Sequence, residues 1–290
     1  MTIRALAPAS TANLGPGFDT AAAALDLWNE LVVEDADDGP VVEIDGEGAD
    51  ELPRDATHLS LRAFALLAPV GPHAFRFTNR IPLERGLGSS AAAIAVGLLA
   101  GAAASGEEHP REELLALGEP LEGHADNLAA ALYGGVSVTW VRDGVRSARQ
   151  LAAGLPLVPL LAVPAERAST ARSRDGLPAT VSHGDAAANA AHAALLGAAI
   201  SSGDAALLAA AFADRLHEQY RLDDAPLLRV LRDEPPADAA GVTLSGSGPT
   251  VVVWAEPEKV DAVERELEES LPEGSEVIVL DIVPEGAWVE

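Results

Sequence analysis

The chain has 290 residues, 48 % of them hydrophobic, with a formal net charge of −26 at pH 7 and no cysteine. This length is enough for one large or two medium domains with a sizeable core. So acidic a surface repels nucleic acid and anionic lipid, and the missing cysteines exclude disulfides, a thiolate nucleophile and a Cys-ligated zinc. We find no secretion leader and no apolar run of roughly 18 residues, which predicts a cytoplasmic protein with neither nucleic acid nor membrane as a partner.

Lysine is almost absent from the chain. Lys259 is the only one, and the other basic residues are arginines, against 45 acidic residues. A bound phosphate must therefore be neutralised by arginine, backbone amides and a metal ion. Two explanations of this composition remain open: adaptation to high ionic strength, where salt screens charge repulsion, and GC-rich coding bias.

The first half of the chain alternates short strands and helices. Runs rich in β-branched and aromatic residues predict strands, and helical spacing of apolar residues predicts helices. Strands are predicted at 31–35, 41–44, 74–77 and 136–140, and helices at 57–67, 90–104, 111–121 and 125–132. The polar segment 141–150 predicts a domain boundary near residue 150, which gives domains at 1–150 and 151–290.

The second half contains longer helices. Strands are predicted at 157–163, 250–254 and 276–283, and helices at 185–201, 204–219, 225–231 and 256–270. Strands and helices mix without the strict alternation of a parallel α/β protein, which predicts an α+β fold.

The most informative segment is the glycine-serine turn at 86–91, which leads into the alanine-rich helix. The first amides of a helix lack intrahelical partners and carry partial positive charge, so this turn predicts a phosphate site. A Walker loop requires a lysine directly before its serine or threonine, and no lysine precedes these serines. The turn does fit the G-x-G-x-x-A dinucleotide pattern, but the preceding segment is polar and contains Pro82, unlike a buried parallel strand. An NAD-dependent dehydrogenase is therefore only a third hypothesis.

Three other segments share this glycine-rich and polar character. They are PASTANLGPGFD at 8–19, EGHADN at 122–127 and LSGSGPT at 244–250. In this order the four segments resemble the GHMP kinases, and 8–19 and 124–127 resemble the homoserine kinase branch of that superfamily. The resemblance extends from Pro8 to Thr250. It implies two domains, the first similar to domain 2 of ribosomal protein S5 and the second ferredoxin-like, with the site between them.

The resemblance implies ATP as the nucleotide and Mg²⁺ as its metal. Mg²⁺ prefers oxygen ligands, and Ser90 and Glu122 match the positions of the family's metal ligands. Glu119 is the alternative carboxylate. The residues predicted to bind the ATP phosphates are Pro82, Leu83, Arg85, Gly86, Leu87, Gly88, Ser89, Ser90 and Ala91.

For the acceptor, the resemblance implies a small zwitterionic amino acid. Its carboxylate calls for arginine, whose planar fork binds carboxylates in a bidentate manner. Arg174 matches one family position, with Arg172 as the alternative. Arg221 matches the second, although Gln219 replaces the proline of the family's Glu-Pro-Tyr-Arg pattern. The predicted substrate-binding residues are Asn13, Asp19, Asn127, Thr170, Arg174, Arg221 and Gly246.

The predicted catalytic residues are Asn13, Asp126 and Asn127. Asp19 or Asp126 could accept the proton of the acceptor hydroxyl as a general base. The catalytic-base position matches Asn127, which cannot do so at neutral pH, and in that case orientation and electrostatic stabilisation supply the rate. His124 is predicted to shape a turn rather than to bind a metal. His58 stands where relatives carry an asparagine near the adenine, so it leaves the contacts to the base open.

Together these inferences predict an ATP-dependent kinase that phosphorylates the hydroxyl of L-homoserine, a step in threonine biosynthesis. The alternatives are a mevalonate- or shikimate-type kinase of the same superfamily and a catalytically silent small-molecule sensor on the same fold. A mevalonate-type site requires a lysine that this chain does not provide. The resemblance also implies a homodimer.

Overall fold

The computed structural model describes residues 2–36, 39–71, 73–167 and 174–290. A first sheet contains seven strands, and a second sheet contains four. The strands of the first sheet are β1 (Thr2–Ala12), β2 (Ala21–Asp35), β3 (Val41–Gly46), β4 (His73–Asn79), β5 (Val136–Arg142), β6 (Val145–Ala152) and β11 (Trp288–Val289). Those of the second are β7 (Val158–Val163), β8 (Gly241–Leu244), β9 (Val251–Ala255) and β10 (Glu276–Val279).

Helices pack against both sheets. Those of the first half are α1 (Leu59–Phe64), α2 (Ser89–Ser105), α3 (Arg111–Glu122) and α4 (Asp126–Tyr133). Those of the second half are α5 (His183–Ser202), α6 (Ala205–Ala211), α7 (Pro226–Asp233) and α8 (Val260–Ser270), with 3₁₀ turns at Glu218–Tyr220 and Pro257–Lys259. None of the helices in these described ranges combines the length and hydropathy that a membrane crossing requires.

The first sheet runs in the order β11-β1-β2-β4-β3, with β5 added through β2 and β6 through β5. All its pairs are antiparallel except β3 with β4. Helix α2 lies on this sheet and is buried from Ala91 to Gly101 except at Ala93, because small alanine side chains let it approach β1 and β2 closely. This packing fixes the first turn of α2. The glycine-serine turn at 86–91, the predicted phosphate loop, leads into it.

The second sheet is antiparallel and runs β10-β7-β9-β8. Trp254 of β9 is fully buried, with its ring stacked on Phe212 at 5.2 Å and its Nε1 donating to Thr243 Oγ1 at 2.9 Å. Val263 and Leu267 of α8 are buried against the same sheet. The turn between β8 and β9 is therefore held on a rigid support, and it carries the LSGSGPT segment.

The C-terminal end of the chain returns to the first sheet. Ile282 bridges Leu25, and Leu6 of β1 pairs with Trp288 of β11. Strand β6 also belongs to the first sheet, up to Ala152. The boundary near residue 150 stays a prediction, and the chain after it supplies the second sheet together with this returning tail.

Most of the predicted elements are present, and three of them are shorter than predicted. The helix predicted at 57–67 spans only Leu59–Phe64. The helix predicted at 204–219 ends at Ala211, because the Asp214 carboxylate accepts hydrogen bonds from the backbone amides of Leu216, His217 and Glu218 and so stabilises a turn. The strand predicted at 276–283 ends at Val279, where the chain crosses to the first sheet. Strands β1, β6, β8 and β11 and the first ten residues of β2 were not predicted.

Candidate active site

A cavity of about 700 Å³ lies where the four glycine-rich and polar segments meet. Both halves of the chain contribute to its wall. Among the predicted site residues, those that line it are Asn13, Asp19, Pro82, Leu83, Arg85, Gly86, Leu87, Gly88, Ser89, Ser90, Glu122, Asp126, Asn127, Arg174, Arg221 and Gly246. Ala91 is fully buried behind the loop. Thr170 and its neighbour Arg172 lie outside the described residues.

The phosphate loop ends in an open helix N-terminus. Gly88 is the N-cap of α2 with φ 70°, and no side chain caps the helix there. A Cβ at Gly88 would lie 2.0 Å from Ser10 Oγ. The left-handed backbone and this contact both require glycine at the position. The first amides of α2 are thereby left available to an anion at the cavity wall.

The third segment supports this loop from behind. Ser245 Oγ donates to the Gly86 carbonyl at 2.6 Å, and the Thr250 amide donates to the Arg85 carbonyl at 3.3 Å. A Cβ at Gly86 would lie 2.4 Å from the Ser245 carbonyl oxygen. From the first segment, the Ser10 amide donates to the Leu87 carbonyl at 3.0 Å. Two segments far apart in sequence, 8–19 and 244–250, therefore hold this loop in place.

A serine hydroxyl and a carboxylate meet beside the loop. Ser90 Oγ donates to Glu122 Oε1 at 2.7 Å, and the Glu122 side chain is only 4 % exposed. Burial raises the pKa of Glu122. The alternative carboxylate, Glu119, pairs instead with Arg146 at 2.7 Å and does not line the cavity. The buried carboxylate and the hydroxyl are hard oxygen donors, so their chemistry fits Mg²⁺.

The described residues contain no group of three or more His, Cys, Asp or Glu side chains arranged to hold a metal. A pair of oxygen ligands still suits Mg²⁺, because this ion keeps several waters and is commonly bound through one or two protein oxygens together with substrate phosphates. The helix N-terminus beside Ser90 is where those phosphates are expected.

Histidine and carboxylate side chains continue the site from Glu122. His124 Nδ1 lies 3.2 Å from Asp126 Oδ1, and its Nε2 lies 3.9 Å from Glu122 Oε1. Burial opposes a positive charge on His124, but the hydrogen bond to Asp126 and the charges of both carboxylates outweigh it and raise the pKa of this histidine. Asp126 itself is 2 % exposed and its Oδ1 also accepts from the Asn127 amide at 2.8 Å.

Asn127 links the phosphate loop to the far end of the cavity. Its Oδ1 accepts from Ser10 Oγ at 2.7 Å, which orients the amide so that its nitrogen is left to donate. Asn13 is tied to the scaffold, because its Nδ2 donates to the Gly246 carbonyl at 2.8 Å and its Oδ1 accepts from the Asp19 amide at 3.0 Å. Asn13 thus holds Asp19 in place.

Opposite charges face each other at this end of the cavity. Arg174 Nη1 and Nη2 donate to Asp19 Oδ2 and Oδ1 at 2.9 and 2.8 Å. Burial alone would raise the pKa of Asp19, but the hydrogen bonds and charge of Arg174 reverse this effect and lower it. Nearby, Arg221 is 2 % exposed and donates through Nη1 to His217 Nδ1 at 2.9 Å and to the Gly246 carbonyl at 3.0 Å.

The Nε atom of Arg221 is buried and has no hydrogen-bond partner among residues 2–36, 39–71, 73–167 and 174–290. Burial, and then the charge of Arg174, lower the pKa of Arg221. A buried guanidinium with an unused donor is costly, and a carboxylate ligand would satisfy it. This end of the cavity therefore combines one carboxylate and two guanidinium groups, the complement of a zwitterion.

The cavity's other end is lined by His58 and Phe77, whose rings stack at 4.3 Å. His58 is the N-cap of α1, and its Nδ1 accepts from the Ser60 amide at 3.2 Å. Burial lowers its pKa to about 4, so the ring is neutral and carries its proton on Nε2. That Nε2 is buried and unpartnered within the described ranges.

Sequence reasoning assigned no role to Ser10, Phe18 or His217. All three lie in segments singled out for other residues, 8–19 and 217–221, so the segments were found and these members were not. The signal that identifies them is their contacts with Asn127, Arg174 and Arg221, which no local pattern encodes.

Comparison with known proteins identifies two family domains. Residues 56–135 match the GHMP kinases N-terminal domain, and residues 198–273 match the GHMP kinases C-terminal domain. A curated homoserine kinase from Streptomyces coelicolor is 41 % identical over 90 % of this chain and 87 % of its own length. The homoserine kinase from Mycobacterium tuberculosis is also 41 % identical, with 90 % and 87 % covered.

Solved structures give the same picture. A crystal structure of homoserine kinase from Cytophaga hutchinsonii superimposes with a TM-score of 0.84 at 27 % identity, covering 100 % of this chain and 97 % of that one. Mevalonate diphosphate decarboxylase from Staphylococcus aureus superimposes with a TM-score of 0.72 at 16 % identity, covering 100 % and 98 %, and so shares the fold.

Proposed function

Since the chain belongs to the GHMP kinases and, within them, to the homoserine kinases, we propose that it transfers the γ-phosphoryl group of ATP to the side-chain hydroxyl of L-homoserine. The predicted family and the predicted two-domain α+β fold are confirmed. The product would be O-phospho-L-homoserine, an intermediate of threonine biosynthesis. We place this activity in the cytoplasm.

One observation carries this proposal: a single cavity has a phosphate loop in its wall and a complement to a zwitterion at one end. The open N-terminus of α2 and the Ser90–Glu122 pair suit nucleotide phosphates and Mg²⁺. Asp19 suits the ammonium group of homoserine, and Arg174 and Arg221 suit its carboxylate. A substrate held at both ends presents its hydroxyl to the phosphate between them.

We propose that the hydroxyl and the γ-phosphate meet at Asn127, which lines the cavity, accepts a hydrogen bond from Ser10 and follows Asp126. We propose that its amide orients the hydroxyl and that the rate comes from positioning and charge stabilisation. Asp126 then acts on its neighbours, Asn127 and His124, rather than as a general base. When bound, Mg²⁺ would be held by Ser90 and Glu122 and would neutralise phosphate charge.

The nucleotide base is proposed to lie at the end lined by His58 and Phe77. A neutral histidine with its proton on Nε2 offers one donor to a ring nitrogen of the base. The rings at this end also supply the apolar surface that a purine requires.

The alternatives fit this cavity less well. A mevalonate-type site needs a lysine, and Lys259 is instead paired with Asp238 at 2.9 Å and does not line the cavity. A silent sensor would have lost the loop or the metal ligands, and both are present. In a dehydrogenase a strand would lead directly into the loop, but β4 ends at Asn79 and no strand follows before α2.

We further propose a homodimer, for which the resemblance to the family is the support, together with the exposed Trp140, Val141 and Val145 of the β5–β6 hairpin. Light scattering in solution measures this directly. A net charge of −26 disfavours nucleic acid as a partner.

The experiment that tests the proposed activity measures Mg²⁺-dependent ADP release from ATP with L-homoserine, mevalonate, shikimate or no acceptor, at low and at molar KCl. Turnover confined to L-homoserine supports the proposal. Turnover with another alcohol retains a kinase and rejects the zwitterion assignment, whereas no turnover with any acceptor at either salt concentration favours the sensor.

A further inference from the structure

Phe18 stands at the centre of the arginine end of the cavity without lining it. The Arg174 guanidinium carbon lies 5.8 Å from the centre of the Phe18 ring, and that of Arg221 lies 5.6 Å from it. The ring of His217 stacks on the same phenyl group at 4.9 Å with an interplanar angle of 20°. One aromatic side chain thus contacts both proposed carboxylate-binding arginines.

Placing two guanidinium groups side by side costs energy. Burial, and then the charge of Arg174, lower the pKa of Arg221, whose Nη1 donates to His217 and the Gly246 carbonyl rather than to a carboxylate. The face of a phenyl ring carries negative electrostatic potential and attracts cations within about 6 Å of its centre. Phe18 therefore offsets part of this repulsion, in addition to the Asp19 carboxylate that pairs with Arg174.

His217 fixes the arrangement from the buried side. It is fully buried, and its Nδ1 accepts from Arg221 Nη1 at 2.9 Å while its Nε2 lies 2.9 Å from the Gly15 carbonyl oxygen. Because Nδ1 accepts, the ring proton is on Nε2 and is donated to Gly15. Gly15 and Phe18 belong to the same chain segment, so His217 ties Arg221 and the Phe18 ring into one unit.

We propose that Phe18 is a positioning residue that holds the Arg174 and Arg221 guanidinium groups at the spacing needed to bind the acceptor's carboxylate. The proposal rests on the proposed function, since it takes the carboxylate of homoserine as the anion that both arginines bind. Phe18 does not line the cavity in which both substrates are proposed to bind. It acts through the two arginines, so its removal changes acceptor affinity and leaves the nucleotide site intact.

The test replaces Phe18 with phenylalanines carrying one, two or three fluorine atoms, which keep the ring's shape and weaken the negative potential of its face. We expect the KM for L-homoserine to rise with each fluorine, to about 5- to 20-fold for the trifluoro ring, from the loss of cation–π attraction. The KM for ATP and kcat stay within about twofold of the wild type, because the residues proposed to bind ATP lie at the other end of the cavity.

Two substitutions and one matched control complete the design. Phe18→Leu removes the aromatic face and raises the KM for homoserine by at least about tenfold. Phe18→Tyr keeps the aromatic face, so its KM for homoserine stays close to that of the wild type. Trifluorophenylalanine at Phe75, a fully buried core residue, controls for fluorine itself and leaves every kinetic constant unchanged. The fluorinated series remains decisive if the leucine variant fails to fold.

A homoserine KM that does not respond to fluorination overturns the proposal, as does an equal change in the KM for ATP, which would indicate a general structural role. The wild-type enzyme is assayed first. If it does not phosphorylate homoserine, the proposed function fails. If it does and fluorination has no effect, only the role of Phe18 fails.

Discussion

Arg174 and Asp19 form a bidentate ion pair inside the cavity, in which Arg174 Nη1 and Nη2 lie 2.9 and 2.8 Å from Asp19 Oδ2 and Oδ1. In the proposed function these groups bind opposite ends of one substrate, the ammonium at Asp19 and the carboxylate at Arg174. Without substrate they neutralise each other. Homoserine must therefore replace one direct ion pair by two, which favours a zwitterion over an uncharged alcohol.

The first prediction concerns Arg174. Arg174→Ala removes a charged hydrogen-bond partner of the carboxylate, so we expect the KM for homoserine to rise by about 10- to 150-fold, the equivalent of roughly 1.5 to 3 kcal/mol. The KM for ATP should not change. Steady-state kinetics with each substrate varied in turn measure both constants. Arg229→Ala is the matched control, because Arg229 forms an exposed pair with Asp223 away from the cavity. A homoserine KM within about twofold of the wild type would contradict the assignment.

The same ion pair makes a prediction about stability and pH. Arg174 lowers the pKa of Asp19 in the folded protein, so the pair stabilises the fold above the unfolded pKa of an aspartate, about 4, and this contribution disappears as the pH falls through the folded value. Both side chains are more than a third exposed, which limits the effect to about 1 kcal/mol or less. Urea unfolding of the wild type and Asp19→Asn should therefore differ near neutral pH and converge in acid. A difference that grows on acidification would show that the pair does not behave in this way.

A third prediction separates the two roles considered for Asp126. Its Oδ1 accepts from the Asn127 amide and lies 3.2 Å from His124 Nδ1, which suits a positioning role. We expect Asp126→Asn to retain kcat within about tenfold, since general-base catalysis is worth 10²- to 10⁴-fold. Single-turnover measurements at saturating ATP and homoserine test this without interference from product release. A loss of about a thousandfold with intact homoserine binding would instead identify Asp126 as the base.

A fourth prediction concerns the metal. If Ser90 and Glu122 hold Mg²⁺, Ser90→Ala should raise the Mg²⁺ concentration for half-maximal activity, and Glu122→Gln should lower kcat by at least about a hundredfold, because a charged ligand is lost. Glu119→Gln is the matched control, since Glu119 pairs with Arg146 outside the cavity. Titration of activity with Mg²⁺ at fixed ATP measures both variants. Equal effects of Glu119→Gln and Glu122→Gln would reject the assignment.

The fifth prediction tests the proposed base contact. His58→Ser keeps a capping oxygen for α1 but removes the donor Nε2, so we expect the KM for ATP to rise by about 3- to 10-fold, the value of one neutral hydrogen bond. The KM for homoserine should stay the same. His58→Asn restores a donor and should recover part of the loss. Because the pKa of His58 is about 4, the KM for ATP should show no titration of this group near neutral pH. A change in melting temperature with an unchanged KM for ATP would assign His58 a structural role only.

The sequence predicted the backbone shape of the turn at 86–91 and the helix after it well, because that shape depends on local residues. Gly88 and the serines that follow must form an open helix start, and the alanine run after them can only be a buried helix. Asp19, Arg174 and Arg221 were found through a family resemblance, since no periodicity brings positions so far apart in the chain together. Their geometry, including the ion pair that Arg174 forms with Asp19, required the folded structure.

Other features depended on contacts that no local pattern encodes. The predicted helix does not continue through Asp214, because the Asp214 carboxylate accepts hydrogen bonds from the backbone amides that follow it. Helix propensity alone does not predict this competing interaction. Strand β1 was not recognised, since its sequence is rich in alanine, proline and serine and only its pairing with β2 makes it a strand. The role of Phe18 followed from ring contacts with Arg174, Arg221 and His217.

The central claim is that the enzyme recognises its acceptor as a zwitterion, and one measurement tests it most directly. The formation of a phosphate monoester is followed by ³¹P NMR with L-homoserine, with 3-aminopropan-1-ol, which lacks the carboxylate, and with 4-hydroxybutanoate, which lacks the ammonium. We predict O-phospho-L-homoserine with the first and a kcat/KM lower by at least about a hundredfold with each of the others, because each leaves a charged group of the site unpaired. Comparable phosphorylation of either analogue would contradict the account.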